Sequence, residues 1–270
     1  MNAPDLARLS LNQMTTENYS LQETVEACAA EGVGWIAPWR HKIQSAAAAA
    51  AIIRGCGLRV SSLCRGGFFP AATAEERKQR IEDNLRAVDD AATLGAETLV
   101  LVCGPAPNRD LEAARAMVED GIAQIVDHAR ACGVRLGIEP LHPMYAAERS
   151  VIVTMSQATS IALKFDPEVV GVVVDVYHVW WDPQICAEIA RAGRRIVGFH
   201  VSDWMVPTNT LLMSRGMMGQ GVIEIQRLRH AVEEAGYNGP IEVEIFNEEV
   251  WRTPIRELIQ HVRQSYRDAV

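Results

Sequence analysis

The 270-residue chain reads as a single (β/α)8 barrel, a closed ring of parallel strands jacketed by helices. Three observations carry that reading. Eight short runs rich in Val, Ile and Leu recur from one end to the other. Each is followed by a longer stretch whose apolar residues keep helical spacing. The runs are near-continuous rather than alternating, as strands buried on both faces must be. Such a barrel needs roughly 250 residues, and no linker interrupts the pattern, so residues 1–270 form one domain. An open doubly wound sheet fits less well, because no GxGxxG follows the first strand and eight units exceed its usual count.

The first strand, 9–14, leads to a helix at 21–30 that ends at Gly32, and the second, 34–39, to a helix at 43–54 that ends at Gly55. Six alanines at 46–51 favour that second helix, since alanine is the best helix former. Strand 58–64 turns at Gly66–Gly67 into helix 74–94, and strand 98–103 passes Pro105–Pro107 into helix 111–131. Gly95 and Gly133 end those helices. Strands 135–139, 169–175 and 196–201 precede helices 156–164, 184–192 and 225–235, the last reached through a long loop at 205–221 and ended by Gly236. Strand 241–246 and helix 255–268 complete the series.

Composition narrows the function. Apolar residues are 49% and charged residues 22%, a globular balance. A net charge of −8 would repel a phosphate backbone, so nucleic acid is not an expected partner. No apolar run approaches the roughly 18 residues of a membrane span, and residues 1–8 lack the pattern of a secretory leader, so no membrane association and a cytoplasmic location are expected. The six cysteines form no CxxC pair and most of them read as small buried hydrophobes, which leaves any metal to oxygen and nitrogen ligands. Nothing fixes the oligomeric state, and a homo-oligomer stays open.

In a parallel barrel the loops at the strand C-termini build the active site. Strand five ends at Glu139, strand six at Asp175, strand seven at His200, and strand eight carries Glu242 and Glu244. Carboxylates following buried apolar runs need a partner or a metal, and four consecutive strand ends open into one mouth. Glu139, Asp175, His200 and Glu244 are therefore the expected metal ligands, with Glu244 preferred over the deeper Glu242. Three carboxylates and one imidazole suit Mn2+, or Mg2+ or Co2+, better than Zn2+. His142, His178 and Asp203 fall three residues past a ligand, where they would meet substrate or orient the ligands. Trp180, Trp181 and Trp204 offer broad apolar faces to a sugar ring, and Arg215 opens the glycine-rich stretch 216–221 expected to lie over the site. No Arg/Lys cluster marks a phosphate pocket, so a free sugar or glycoside is expected.

IEPLHP around Glu139, VVDVYH around Asp175, FHVSDW around His200, GQG at 219–221 and GYNGPIEVEIF around Glu244 resemble the xylose isomerase-like TIM barrels over essentially the whole chain. The ketose 3-epimerases among them look similar at the same places. That resemblance implies a divalent-metal-dependent sugar isomerase or epimerase that abstracts a proton next to a carbonyl through a metal-stabilised enediolate. It assigns metal-ligand roles to Glu139, Asp175, His200 and Glu244, acid/base work to Glu139 and Glu244, and substrate contact to His178. The chain departs by carrying Val206 where those epimerases have arginine, and His142 where they have asparagine. Related barrels include metal-dependent lyases acting on 3-oxo-glycosides, in which His142 or His178 would serve as base or acid. A non-catalytic sugar-binding barrel is the third reading. The DNA-cleaving endonuclease IV type is disfavoured by charge and by Cys64 and Cys103 at the ends of strands three and four.

Overall fold

The computed structural model describes residues 6–270, so Met1–Asp5, part of the segment read for a leader, lie outside the described residues. The first half runs β1 (Leu9–Asn12), α1 (Leu21–Ala30), β2 (Trp35–Ala37), α2 (Ala46–Gly55), β3 (Arg59–Val60), β4 (Ser62–Gly67), α3 (Ala74–Leu94), β5 (Thr98–Val102) and α4 (Leu111–Cys132). The second runs β6 (Arg135–Glu139), α5 (Met155–Ala162), β7 (Val170–Asp175), α6 (Val176–Val179), α7 (Ile185–Ala192), β8 (Ile196–Val201), β9 (Asp203–Trp204), β10 (Arg215–Gly216), α8 (Ile225–Glu234), β11 (Ile241–Val243), α9 (Glu248–Arg252) and α10 (Ile255–Ala269).

The strands pair in parallel in the order β3-β2-β1-β11-β8-β7-β6-β5-β4. Because β3 and β4 are separated only by Ser61, one pairing with β2 and the other with β5, they act as a single broken stave and bring the ring round on itself. This is a (β/α)8 barrel, with eight staves where eight apolar runs were predicted.

Local chemistry explains the helix ends. Ser20 with Glu23 and Thr73 with Glu76 form capping boxes at the starts of α1 and α3, while Ser45, Asp110 and Thr154 cap α2, α4 and α5 through their side chains. Gly95 and Gly133 close α3 and α4 in the left-handed conformation. After α2 it is Gly57, not the expected Gly55, that takes the positive φ, because Gly55 is still helical. Outward strand residues such as Leu136, Ile138, Val172 and Val174 pack under the helices in one continuous core. Inside the ring, Cys64, Val100, Val173 and Val197 form a separate small cluster. Gly137 leaves space for it: a Cβ there would sit 2.7 Å from Val173 and 2.8 Å from Thr98. The buried Glu139, Asp175 and His200 lie at or near the C-terminal ends of their strands. Among the described residues no helix is long and apolar enough to cross a membrane.

Candidate active site

Strand register assembles the floor of the site. Asp175 lies opposite His200, His200 opposite Glu242, and Glu139 beside Val102 at the end of β6. All four charged side chains point inward and are buried. Ligand atoms of Glu139, Asp175 and His200 lie within 4.8 Å of one another, so three of the four expected metal ligands come together. His200 Nδ1 lies 3.2 Å from Glu139 Oε1 yet has no aligned hydrogen-bond partner, an orphaned buried nitrogen facing the carboxylates. Its other nitrogen, Nε2, faces Glu242 Oε2 at 3.5 Å. A ligating histidine commonly has a carboxylate behind its second nitrogen, so the floor fits a divalent cation held by Glu139, Asp175 and His200 Nδ1.

Glu242 is thereby placed behind His200. Its carboxylate accepts from Asn12 Nδ2 at 2.6 Å, Ser62 Oγ at 2.8 Å and Ser61 Oγ at 3.2 Å, groups supplied by the neighbouring staves. Glu244 stands apart from the triad. Asn12 Nδ2 donates to its Oε1 at 3.1 Å, and Arg215 Nη1 lies 3.0 Å from its Oε2. The same Nη1 lies 2.9 Å from Asp175 Oδ2, so one buried guanidinium bridges two expected ligands. Arg215 also sits 4.4 Å above the Tyr177 ring, and its Nη2 is 3.2 Å from His178 Nε2. Since Arg215 can only donate, His178 Nε2 accepts and Nδ1 carries the hydrogen. That buried Nδ1 has no partner, and His178 lines the cavity.

Burial sets the ionisation of these groups. Glu244 is pushed up to about 8 by desolvation, against the pull of Arg215. Desolvation also raises Glu139. For Asp175 burial is outweighed by Arg215 and then His178, which hold it below the usual carboxylate range. Burial lowers His178 to about 3, so it is a neutral hydrogen-bonding group. Burial alone would lower His200 as well, but Glu242 and then Glu139 hold its proton and raise it to about 10 in the metal-free protein.

A cavity of about 310 Å3 opens above this floor, with Glu139, His178, Arg215 and Glu244 at its base. Its apolar walls are Trp39, Phe68, Tyr145 and Phe246, and Cys64 reaches it from β4. Sequence reasoning missed these aromatic walls, although Trp39 stands just past β2 and obeys the strand-end rule used for the ligands. It also missed Arg65, which lines the cavity from within β4, and Arg149, which lines it from the loop after β6, where no basic cluster was expected.

Several expected substrate contacts are placed elsewhere. His142 caps a short turn through Nδ1, accepting from Met144 N at 3.2 Å, and packs against Trp181 and Trp204 outside the cavity lining. Asp203 accepts from the backbone amides of Trp204, Ile223 and Gly219 at 2.9, 3.0 and 3.0 Å, so it anchors the glycine-rich loop in place of a substrate. Trp204 stacks on Tyr177 with 4.6 Å between centroids, and Trp180 packs against Trp204, so neither faces the cavity. The stretch expected over the site instead delivers Arg215 from β10, which pairs antiparallel with β9. Three of the six free cysteines, Cys56, Cys132 and Cys186, are only partly buried, contrary to the expectation of core burial.

The fold and the buried triad define a (β/α)8 barrel with a carboxylate–imidazole cluster at its C-terminal mouth that could hold a metal ion. The sequence matches the family described as xylose isomerase-like TIM barrel over residues 23–265, and the chain belongs to that family. An inosose isomerase of Bacillus velezensis is 24% identical, over 96% of this chain and 95% of that protein. A 3-dehydroshikimate dehydratase of Pseudomonas aeruginosa is 28% identical over 67% of this chain, but the match spans only 29% of that longer protein. Among solved structures, protein SMc04130 from Sinorhizobium meliloti 1021 is 47% identical with a TM-score of 0.95, covering 98% of this chain and 99% of the other. The IolI protein with a bound zinc atom shares the fold, with a TM-score of 0.83, 22% identity and 96% of each chain covered. On this family likeness the chain is an enzyme.

Proposed function

We propose that the chain is a divalent-metal-dependent isomerase or epimerase of a keto-sugar, working by proton transfer at the carbon next to the carbonyl. The observation that carries this is the meeting of Glu139, Asp175 and an orphaned His200 nitrogen beneath a cavity into which Glu244 also reaches. A bound divalent cation there would polarise the substrate carbonyl and stabilise the charge that develops on its oxygen, a contribution of several kcal/mol. Glu244, raised towards neutrality by burial, takes or returns the proton. Glu139 enters from β6, with β7 and β8 between it and Glu244's strand, so the two carboxylates approach a substrate from different sides. Such a pair suits inversion at carbon, one side removing the proton and the other returning it. His178 donates its free Nδ1–H to a substrate oxygen, and Arg215 keeps Asp175 ionised while positioning Glu244. The apolar walls exclude water.

The oxygen-rich ligand set favours Mn2+, with Mg2+, Co2+ and the zinc carried by the IolI relative as the other ions to test. The likeness to a dehydratase supports one second reading, in which the same first proton abstraction is followed by loss of a β-substituent. Keto-sugars incubated in D2O with metal-loaded protein separate the two. A stereoisomer or aldose carrying one deuterium supports isomerisation or epimerisation, and a product lighter by water supports elimination. Absence of any metal-dependent exchange across the panel, or full activity in Glu244→Gln, refutes the proposed mechanism.

A further inference from the structure

The floor of the cavity is acidic, but its rim is not. Arg65 sits at the register shift within β4, between Cys64 and Gly66, Arg149 lies in the loop after β6, and both line the cavity. Neither guanidinium has a hydrogen-bond or ion-pair partner among the described residues. The contrast with Arg40 is direct: it lies nearby and is satisfied by Asp83 and Asp90, each at 3.1 Å. Glu148, exposed on the same rim, pairs with neither arginine. Burial pulls the Arg65 guanidinium below its ordinary pKa, and the charge of Arg149 adds to that pull. The molecule thus holds two like charges in the lining of one cavity, one of them partly desolvated, and neither is directly paired with an acidic side chain among the described residues.

The way Arg65 is held leaves its donors free. Its guanidinium lies 3.9 Å above the Phe68 ring, and Arg149 lies 5.5 Å from the Tyr145 ring, so aromatic faces support the flat sides of the cations. The N–H edges, which bind carboxylate or phosphate in pairs, remain available. Phe68 is the single non-glycine residue among those described with a positive φ, at 54°. A bulky side chain in that region costs about 1–3 kcal/mol, and such strain gathers where a ligand is clamped.

We propose that the substrate carries an anionic group, a phosphate or a carboxylate, held by Arg65 and Arg149 while its keto end reaches the acidic floor. This rests on the function proposed above and names its substrate class. It departs from the expectation of a free sugar or glycoside, which looked for a basic cluster in the sequence, where these two arginines of one cavity stand 84 residues apart.

Anion binding to the metal-free protein isolates the rim from the metal. Inorganic phosphate and glycerate are titrated separately into chelator-treated protein and followed by calorimetry. One of them should bind one-to-one, weakened about tenfold or more in Arg65→Met and in Arg149→Met and less in Arg65→Lys. Phosphate binding identifies a phosphate ester, glycerate binding a carboxylate. Methionine retains the stack on Phe68 or Tyr145, and thermal unfolding checks that each variant is folded. In the metal-loaded enzyme the ratio of kcat/KM for anionic over neutral ketoses should fall at least about tenfold in either methionine variant. Failure of both anions to bind, or binding indifferent to both arginines, overturns the inference even if neutral ketoses are turned over. Arginine-dependent anion binding without any metal-dependent turnover supports it and removes the isomerase reading instead.

Discussion

Loading the barrel mouth with a cation should expel protons, and the structure sets the count. In the metal-free protein His200 keeps its proton up to about 10, held by Glu242 and Glu139 against the cost of burial. A metal needs the neutral imidazole, so cation and proton compete for Nδ1. At pH 7 only about one ring in a thousand is neutral when the pKa is near 10. The apparent affinity should therefore rise about tenfold per pH unit between pH 6 and 8, roughly 100-fold or 2.7 kcal/mol across that range. Mn2+ titrated calorimetrically in buffers of different ionisation heat at pH 7 should release at least one proton per ion. The same shift acts on folding: because the folded pKa lies above the ordinary value of 6.5, its stabilisation of the metal-free protein is complete below about 6.5 and disappears as pH rises through about 10. Glu242→Gln removes the largest of the charges that hold the proton, so its proton release near pH 8 should be smaller. Affinity independent of pH, or metal uptake with no proton released, would refute the assignment of His200 as ligand.

Arg215→Met leaves Asp175 and Glu244 buried without their shared cation, a loss of about 3–5 kcal/mol for a broken buried pair. With an unfolding entropy near 0.57 kcal/mol/K for this length, the melting temperature of metal-free protein should fall by about 5–9 °C in calorimetry. Asp203→Ala strips three backbone amides of their acceptor and should cost at least about 2 kcal/mol in denaturant unfolding. Asp203→Asn keeps the Oδ1 acceptor, so it should recover most of that stability without a large change in KM. A KM rising tenfold in stable Asp203→Asn would restore a substrate role to this residue. Gly121→Ala drives a Cβ to within 2.3 Å of the Phe69 ring between α3 and α4 and should destabilise by about 1–3 kcal/mol, read from the urea midpoint at unchanged slope.

The barrel was legible because burial on both faces makes each stave apolar, and because helix caps such as Thr73 with Glu76 announce their own ends. The meeting of Glu139, Asp175 and His200 was legible for a related reason: a carboxylate or imidazole at the end of an apolar run is conspicuous, and register carries consecutive strand ends to one place. Contacts made by loops follow no such periodicity. Asp203 and His142 were placed correctly in the chain, yet which way each side chain turns depends on the amides of Ile223 and Gly219, and on the rings of Trp181 and Trp204, none of which spacing can locate. Glu244 sits on the expected stave, but Arg215 reaches it from a hairpin that sequence read only as loop.

That arginine clarifies how the floor can hold so many acids. Glu139, Asp175, Glu242 and Glu244 are buried together, and carboxylates so placed need counter-charge. The structure supplies it in two forms that differ chemically. On the side of Asp175 and Glu244 the cation is a guanidinium, which cannot release its proton and therefore persists whatever else binds. On the side of Glu139 and Glu242 it is the proton of His200, which can leave. A divalent ion can thus exchange for the removable charge without disturbing the permanent one. The orphaned nitrogen facing Glu139 is where that exchange would occur, whereas the Arg215 half keeps Glu244 aimed at the cavity in both states.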